Sequence, residues 1–459
     1  MADIFTDNIT LTKGTKTKIT LNTTDKYVLG DIVVDVAPQV GSFNNHPTTG
    51  VTYTENTEDV TIISSGGYLY LNQGWFENTK ISLSHLIGKK MHDLSMLDYT
   101  GSALKRRETA NCYIVSETGY YELPLVYGCG IVDGNINSES YTQVSGDNTQ
   151  PFFNYLNTQI NSPFIEEDTG MTAVGASVVL TDTADFVIDD VYLTDGDLCK
   201  FLRFRVSSMP SLGGNATIAV KDETGQIMWS WHIWAYPFAL HTFKHTNESG
   251  NTYNILDVNL GWVKQSAESK KGTSPYYQWG RKDPMLRYRA SAAVGSFNIT
   301  TCATSVAATI QNPNVFNTID RTNYNWWTND GTPVTFYNYW DASQTTNDVG
   351  HRSIVKTVYD PCPVGFHIPC GATFTGFSAS NGGTWDNGYT WDNNFFQAAG
   401  YRGLEDGVVY LFGSNSGYWP AASYSADISY CFYFFSGTVD PQGGVRRAAG
   451  FSVRPVARS

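Results

Sequence analysis

Residues 418–441 read YWPAASYSADISYCFYFFSGTVDP, and the chain closes through residues 447–456 as RAAGFSVRPV. About a quarter of residues 418–449 are aromatic, against 14% of the whole chain, and that stretch holds no Lys, Glu or Met. A core strand needs apolar side chains at period two, but not this many Tyr and Phe beside small polar residues. Binding surfaces use that mixture, because Tyr offers large contact area at low entropic cost while Ser, Gly and Asn adapt. Two readings follow, a buried aromatic hairpin or a recognition strand.

The 459 residues suffice for about three domains of ordinary size. Gly, Asn, Thr, Ser and Tyr are abundant, charged residues are only 16%, and long Leu/Ala/Glu/Lys runs are missing, so strands and turns prevail over helices. A formal charge of −13 without a basic tract repels phosphate backbones and anionic lipid, which argues against nucleic-acid and membrane roles. No apolar run reaches bilayer-spanning length. The start, MADIFTDNITLTKG, lacks the basic and apolar regions of a secretory signal, and seven cysteines without a repeated spacing do not form a disulfide framework. The sequence therefore suits folding in a reducing cytoplasm.

Along the chain, residues 15–21 (TKTKITL) and 27–36 (YVLGDIVVDV) alternate as short strands. Residues 1–95 suit a small β-rich attachment or oligomerisation module. Residues 96–248 carry strands at sandwich-like spacing, including IMWSWHIW at 227–234, a strand apolar on both faces, which points to an immunoglobulin-like β-sandwich. From about residue 249 onward, Trp-bearing segments lie in long Gly/Asn-rich stretches of the kind that form functional loops on a modest sheet.

The runs NCYIVSETGYYELP (111–124) and NATIAVKDETGQIMWSWHIW (215–234) resemble the β-sandwich that precedes a C-terminal module in gut-bacterial proteins. YYQWGRKDP (276–284), VYDPCPVGFHIP (358–369), AAGYRG (398–403), GYWPAAS (417–423) and GFSVRPV (450–456) resemble that module, the FISUMP domain, a branch of the C-type lectin fold related to formylglycine-generating enzyme. These five ordered motifs cover roughly 180 residues. The resemblance implies a mainly β protein with some α, its C-terminal α+β lectin-fold domain spanning 249–459. It extends to variable proteins of diversity-generating retroelements, whose tails are similar and which are often phage receptor-binding proteins. Randomised template adenines there turn Asn codons into many residue types, but not into Trp, Lys, Glu, Gln or Met. Within residues 418–449 only Trp419 and Gln442 depart from that rule. Surface-anchored bacterial members carry an export signal, and many have a cysteine where this tail has Pro455; both are missing here.

Carried over from the family, Tyr430, Phe432 and Phe434 point inward and Cys431, Tyr433 and Phe435 outward. Trp419, Arg447, Phe451, Val453 and Arg454 match scaffold positions. The implied contact residues are Ser416, Tyr418, Tyr424, Ser425, Asp427, Cys431, Tyr433, Phe435, Asp440, Gly444, Val445, Arg446 and Ala449, within a diversified surface at 414–449.

The same fold hosts a copper-dependent cysteine oxidase, but no base lies near Cys431 in sequence, so no enzymatic activity is expected. His241 and His245 would share a face only if HTFKH were helical; a surface loop is expected instead. Asp189, Asp190, Asp195 and Asp197 lack calcium-loop spacing, and Trp385–Asp386–Asn387 inverts the order of the sugar-calcium triplet of true C-type lectins. No cofactor is expected, although a structural calcium ion is compatible with the fold. The sequence thus reads as a phage tail receptor-binding protein, made in the host cytoplasm and carried on the virion. Its partners would be a host-cell surface protein or glycan, other tail proteins through the N-terminal module, and copies of itself, with a trimer favoured. The alternative is a bacterial adhesin or glycan-binding surface protein of the same fold without diversification.

Overall fold

The computed structural model describes the strands between residues 6 and 82, and residues 91–286, 297–320, 324–329, 331–350, 353–381 and 383–458. The chain forms two compact units, Met1–His92 and Asp93–Ser459. The fold is mainly β, with α-helices confined to short segments such as Ile165–Thr169 and Val306–Gln311. In the first unit, Lys16–Asn22 pairs antiparallel with Val28–Val36, the two segments read as alternating strands, and Gly41–Phe43 completes that sheet. A second sheet runs Thr6–Thr12, Thr57–Ser65, Tyr68–Leu71 and Lys80–Ser82.

In the second unit, one sheet is ordered Ala173–Thr181, Gly214–Asp222, Ile227–Ala235 and Cys112–Val115, the last pair parallel. Another contains Val187–Thr194, Phe201–Ser208 and Gly119–Pro124. The Ile227–Ala235 strand is buried from Met228 onward, which explains its two apolar faces. Trp229 packs against Tyr127 and Tyr359 and donates from Nε1 to Asn111 Oδ1 at 3.0 Å, while Trp234 Nε1 donates to the Trp262 carbonyl. One apolar cluster includes Phe204, Ile218 and Trp231 together with Trp279, Trp340, Cys362 and Phe451. The boundary expected near residue 248 therefore runs through a shared core. Residues 241–245, expected as a loop, fall mostly in a strand, Thr242–Thr246, paired with Thr252–Leu256.

The C-terminal tail is interior to two further sheets. Gly450–Phe451 lies between Tyr277–Gln278 and Tyr401–Arg402, and Val456–Ala457 lies between Thr252–Leu256 and Phe366–His367. Three of the motif segments are thus stitched together by the last ten residues of backbone.

A buried polar network sits beside this core. Asn215 Nδ2 donates to Asp182 and to the Gly261 carbonyl, leaving its Oδ1 to accept from His232 Nε2 at 2.8 Å. An amide oxygen accepts only, so the imidazole carries its proton on Nε2, and Nδ1 accepts from the Tyr277 hydroxyl at 3.3 Å. Burial without a carboxylate partner pushes the His232 pKa from 6.5 down to about 3. The unfolded chain binds this proton near pH 6.5 and the folded chain only near pH 3, so the stabilisation is full above 6.5 and is lost as pH falls towards 3. Urea unfolding across that window should show His232→Gln losing stability less steeply than the wild type, by up to about 1.4 kcal/mol per pH unit. Equal slopes would remove His232 from the acid response.

Candidate binding site

The aromatic segment forms the middle strand of a three-stranded antiparallel sheet, Asn415–Tyr418, Ile428–Phe435 and Thr438–Arg446. Phe432 and Phe434 are buried in a cluster with Phe374, Phe377, Trp391, Phe396 and Tyr418. The scaffold positions Trp419, Arg447, Phe451, Val453 and Arg454 are also buried. Tyr430, expected inward, is only half-buried and sets its ring edge-to-face on exposed Tyr424. The core beneath it has ended by that point in the strand.

Three expected contact residues are neither at the surface nor in the groove described below. Directly opposed residues of an antiparallel pair share a face, and Ser416 opposes Phe434 while Tyr418 opposes Phe432. Both therefore lie on the core face and are fully buried, the Tyr418 hydroxyl donating to the Gln397 carbonyl at 2.8 Å. Cys431 does lie on the opposite face, as expected, but the tail covers it, and its exposure is 0%. A Cβ on neighbouring Gly417 would stand 2.5 Å from both Cys431 Sγ and a Phe451 ring carbon, so only glycine fits there. Burial pushes the Cys431 thiol well above its usual pKa, which removes the thiolate that nucleophilic chemistry needs.

Beyond Cys431 that face opens into a groove of about 450 Å3. Tyr433, Asp440, Gly444, Val445, Arg446 and Ala449 line it, all of them expected contact residues. Asn415 Nδ2 donates to the Tyr433 hydroxyl at 2.7 Å and fixes the ring. Ala449 is 1% exposed and reaches the groove only as part of its floor. Phe435 is 41% exposed, with its ring 6.2 Å from that of Tyr433. The groove also uses Tyr401, Leu404 and Gly443, which the sequence did not single out, and Phe451, read only as scaffold. Tyr401 stands in the motif AAGYRG, where its stacking on Phe451 at 5.5 Å makes it framework and wall together.

Tyr424, Ser425 and Asp427 form the adjoining rim. Their loop is held from below by Arg447, whose Nη2 donates to Ser423 Oγ and, at 2.6 Å, to the Ser425 carbonyl, while Nη1 donates to the Phe336 carbonyl. Burial lowers the Arg447 pKa to about 9, so it stays cationic at neutral pH. Arg446 joins rim to groove: its guanidinium lies 3.1 Å from the Tyr324 ring centroid and 4.0 Å from Asp427. Gly444 is exposed opposite Tyr430, where an added Cβ would meet Ile428 at 3.3 Å.

Other candidates fall elsewhere. His245 is stacked on Phe377 at 4.0 Å and bonded to the Thr375 carbonyl, and its strand setting separates it from a metal-binding helix geometry. Asp189 is engaged by Arg205 at 2.7 Å. Among the described residues no group of three or more His, Cys, Asp or Glu is placed to hold a metal ion. Cys112, Cys129, Cys199, Cys362, Cys370 and Cys431 are free thiols.

The two faces of the strand differ in what they contribute to stability. Phe432→Ala should cost about 3–5 kcal/mol in chemical denaturation, whereas Phe435→Ala should stay within about 0.5 kcal/mol. Similar losses would contradict the division into core and groove faces. Iodoacetamide followed by mass spectrometry should leave Cys431 unmodified in the native chain and alkylate it in urea; rapid native labelling would place the thiol at the surface instead.

No family model, curated protein or solved structure matches the chain, so the assignment of this face rests on its geometry.

Proposed function

We propose that this chain is a phage tail receptor-binding protein that recognises a host-cell surface ligand through the groove and rim around Tyr433, Asp440 and Arg446. The observation that carries this reading is the division of one strand into two duties. Phe432 and Phe434 fill the core, while Tyr433 and Phe435, between and beyond them, are turned to the groove and solvent. Side chains on such a face can change with little loss of stability, which a diversified recognition surface requires. Pocket volumes of this order suit a compact ligand or a protruding part of a larger one.

In this reading the first compact unit attaches the protein to the virion. The strands between 112 and 235 form an immunoglobulin-like sandwich, and the region from 249 onward is the lectin-fold module that the motifs resemble. Binding at one groove of this size is weak, so a trimer on each fibre would gain avidity from several simultaneous contacts. No chemistry is assigned to the site, in keeping with the inert Cys431.

Soluble full-length protein at saturating concentration should block adsorption of a virion carrying it to its host by about tenfold or more, through occupancy of the receptor. Sequenced sibling isolates should differ chiefly within residues 414–449, at the exposed positions rather than at Ser416, Tyr418 and Cys431. Unimpeded adsorption, or variation spread evenly along the chain, would count against the proposal.

A further inference from the structure

We infer that the ligand of this groove is a neutral glycan, held by stacking on Tyr433 and by hydrogen bonds to Asp440 and Arg446; this rests on the recognition function proposed above. A sugar ring presents a C–H face and a rim of hydroxyls, each both donor and acceptor. It therefore fits a site with an apolar floor and a rim of mixed donors and acceptors. The groove has that composition. Its floor is Ala449, Val445 and Gly443, where the absence of a side chain leaves the main chain open, and its ring wall is Tyr433.

The rim groups retain unused hydrogen-bonding capacity. The Tyr433 hydroxyl oxygen already accepts from Asn415, so its proton is left to point towards a ligand. Asp440 Oδ1 accepts from the Gln442 amide at 3.1 Å, and a carboxylate offers about four lone-pair sites, so most of its capacity remains. Arg446 supplies the donors, its guanidinium over the Tyr324 ring and 39% of its side chain exposed. Asp440 stands opposite Tyr433 and Arg446 opposite Ile428, roughly 16 Å apart along the strand, so acceptor and donors suit hydroxyls on different sugars of an oligosaccharide.

Charge selects among glycans. Among the described residues that line the groove Arg446 is the cation, and Asp427 stands 4.0 Å from it. Asp440 is itself anionic, Glu405 and Asp406 follow groove residue Leu404 in sequence, and the whole chain carries −13. A sialylated, uronic or phosphorylated ligand would meet net repulsion, whereas a neutral one would not. A peptide ligand is less well served. Strand addition needs an open length of sheet edge, and although the groove follows the edge strand Thr438–Arg446, Tyr401, Leu404 and Phe451 wall it in on the other side.

The test uses labelled full-length protein on bacterial cells that it stains. Staining is measured before and after periodate, which cleaves vicinal diols, and before and after protease. The protein is also applied to an array of neutral oligosaccharides with their sialylated and phosphorylated counterparts. The expected result is staining abolished by periodate and resistant to protease, with array binding confined to neutral glycans. Tyr433→Ala and Asp440→Asn should each lower it about tenfold or more while the protein still unfolds cooperatively, as for a binding hot spot, whereas Tyr433→Phe should retain part of it. Binding confined to acidic glycans would overturn the inference. So would staining that survives periodate and is lost to protease, which would indicate a protein receptor and leave the recognition function standing. Failure to stain any cell, including the host of a virion carrying the protein, would overturn both.

Discussion

The buried guanidinium of Arg447 is the interaction on which the recognition face depends. A cation taken out of water is costly unless its hydrogens find acceptors. Here the Phe336 carbonyl, Ser423 Oγ and the Ser425 carbonyl receive its terminal nitrogens, and Trp279 and Phe336 lie against its flat faces at 4.4 and 4.7 Å. One side chain thereby ties the WGRKDP segment, the 336 region and the rim loop to the start of the tail. Arg454 repeats the arrangement seven residues on, donating to Asn259 Oδ1 and to the Asp257 and Phe395 carbonyls over the Phe396 ring. Arginine suits both places because its planar fork reaches several carbonyls at once and stacks on rings, which a lysine does not do. The tail is thus a clasp that closes the sheet holding the groove.

Much of this was legible from local pattern. Alternation at 15–21 and 27–36, and the doubly apolar run at 227–234, each correspond to a strand within a residue of those bounds, because period two is a property of the strand itself. The separation of Phe432 and Phe434 from Tyr433 and Phe435, implied by the family resemblance, obeys the same period. What the sequence could not supply was how far each face is covered. Cys431 lies on the groove face, yet Phe451, twenty residues later, roofs it over. Ser416 and Tyr418 were misplaced because their face depends on the pairing register with the next strand, which no local pattern encodes. Tyr401 enters the groove from another sheet and Leu404 from the turn that follows it, so only the assembled fold brings them to Tyr433. The shared core across residue 248 is legible no earlier, since it depends on contacts such as Asn111 Nδ2 with the Val358 and Asp360 carbonyls.

The position of the clasp also sets where the face can vary. Ile428–Phe435 is a middle strand, so its backbone is held by hydrogen bonds to a neighbour on each side, whatever side chains it carries. Tolerance then depends on what stands above each residue. At Cys431 the groove face is closed by Gly417 and Phe451, and a larger side chain would need the tail to move, an overpacking cost of about 1–3 kcal/mol. At Tyr433 the face is half open, and at Phe435 it is in solvent. Freedom to substitute therefore increases along the strand away from the tail, and the positions best able to change are those that already face the ligand space. Stability and recognition compete only at the end where the strand passes under the clasp.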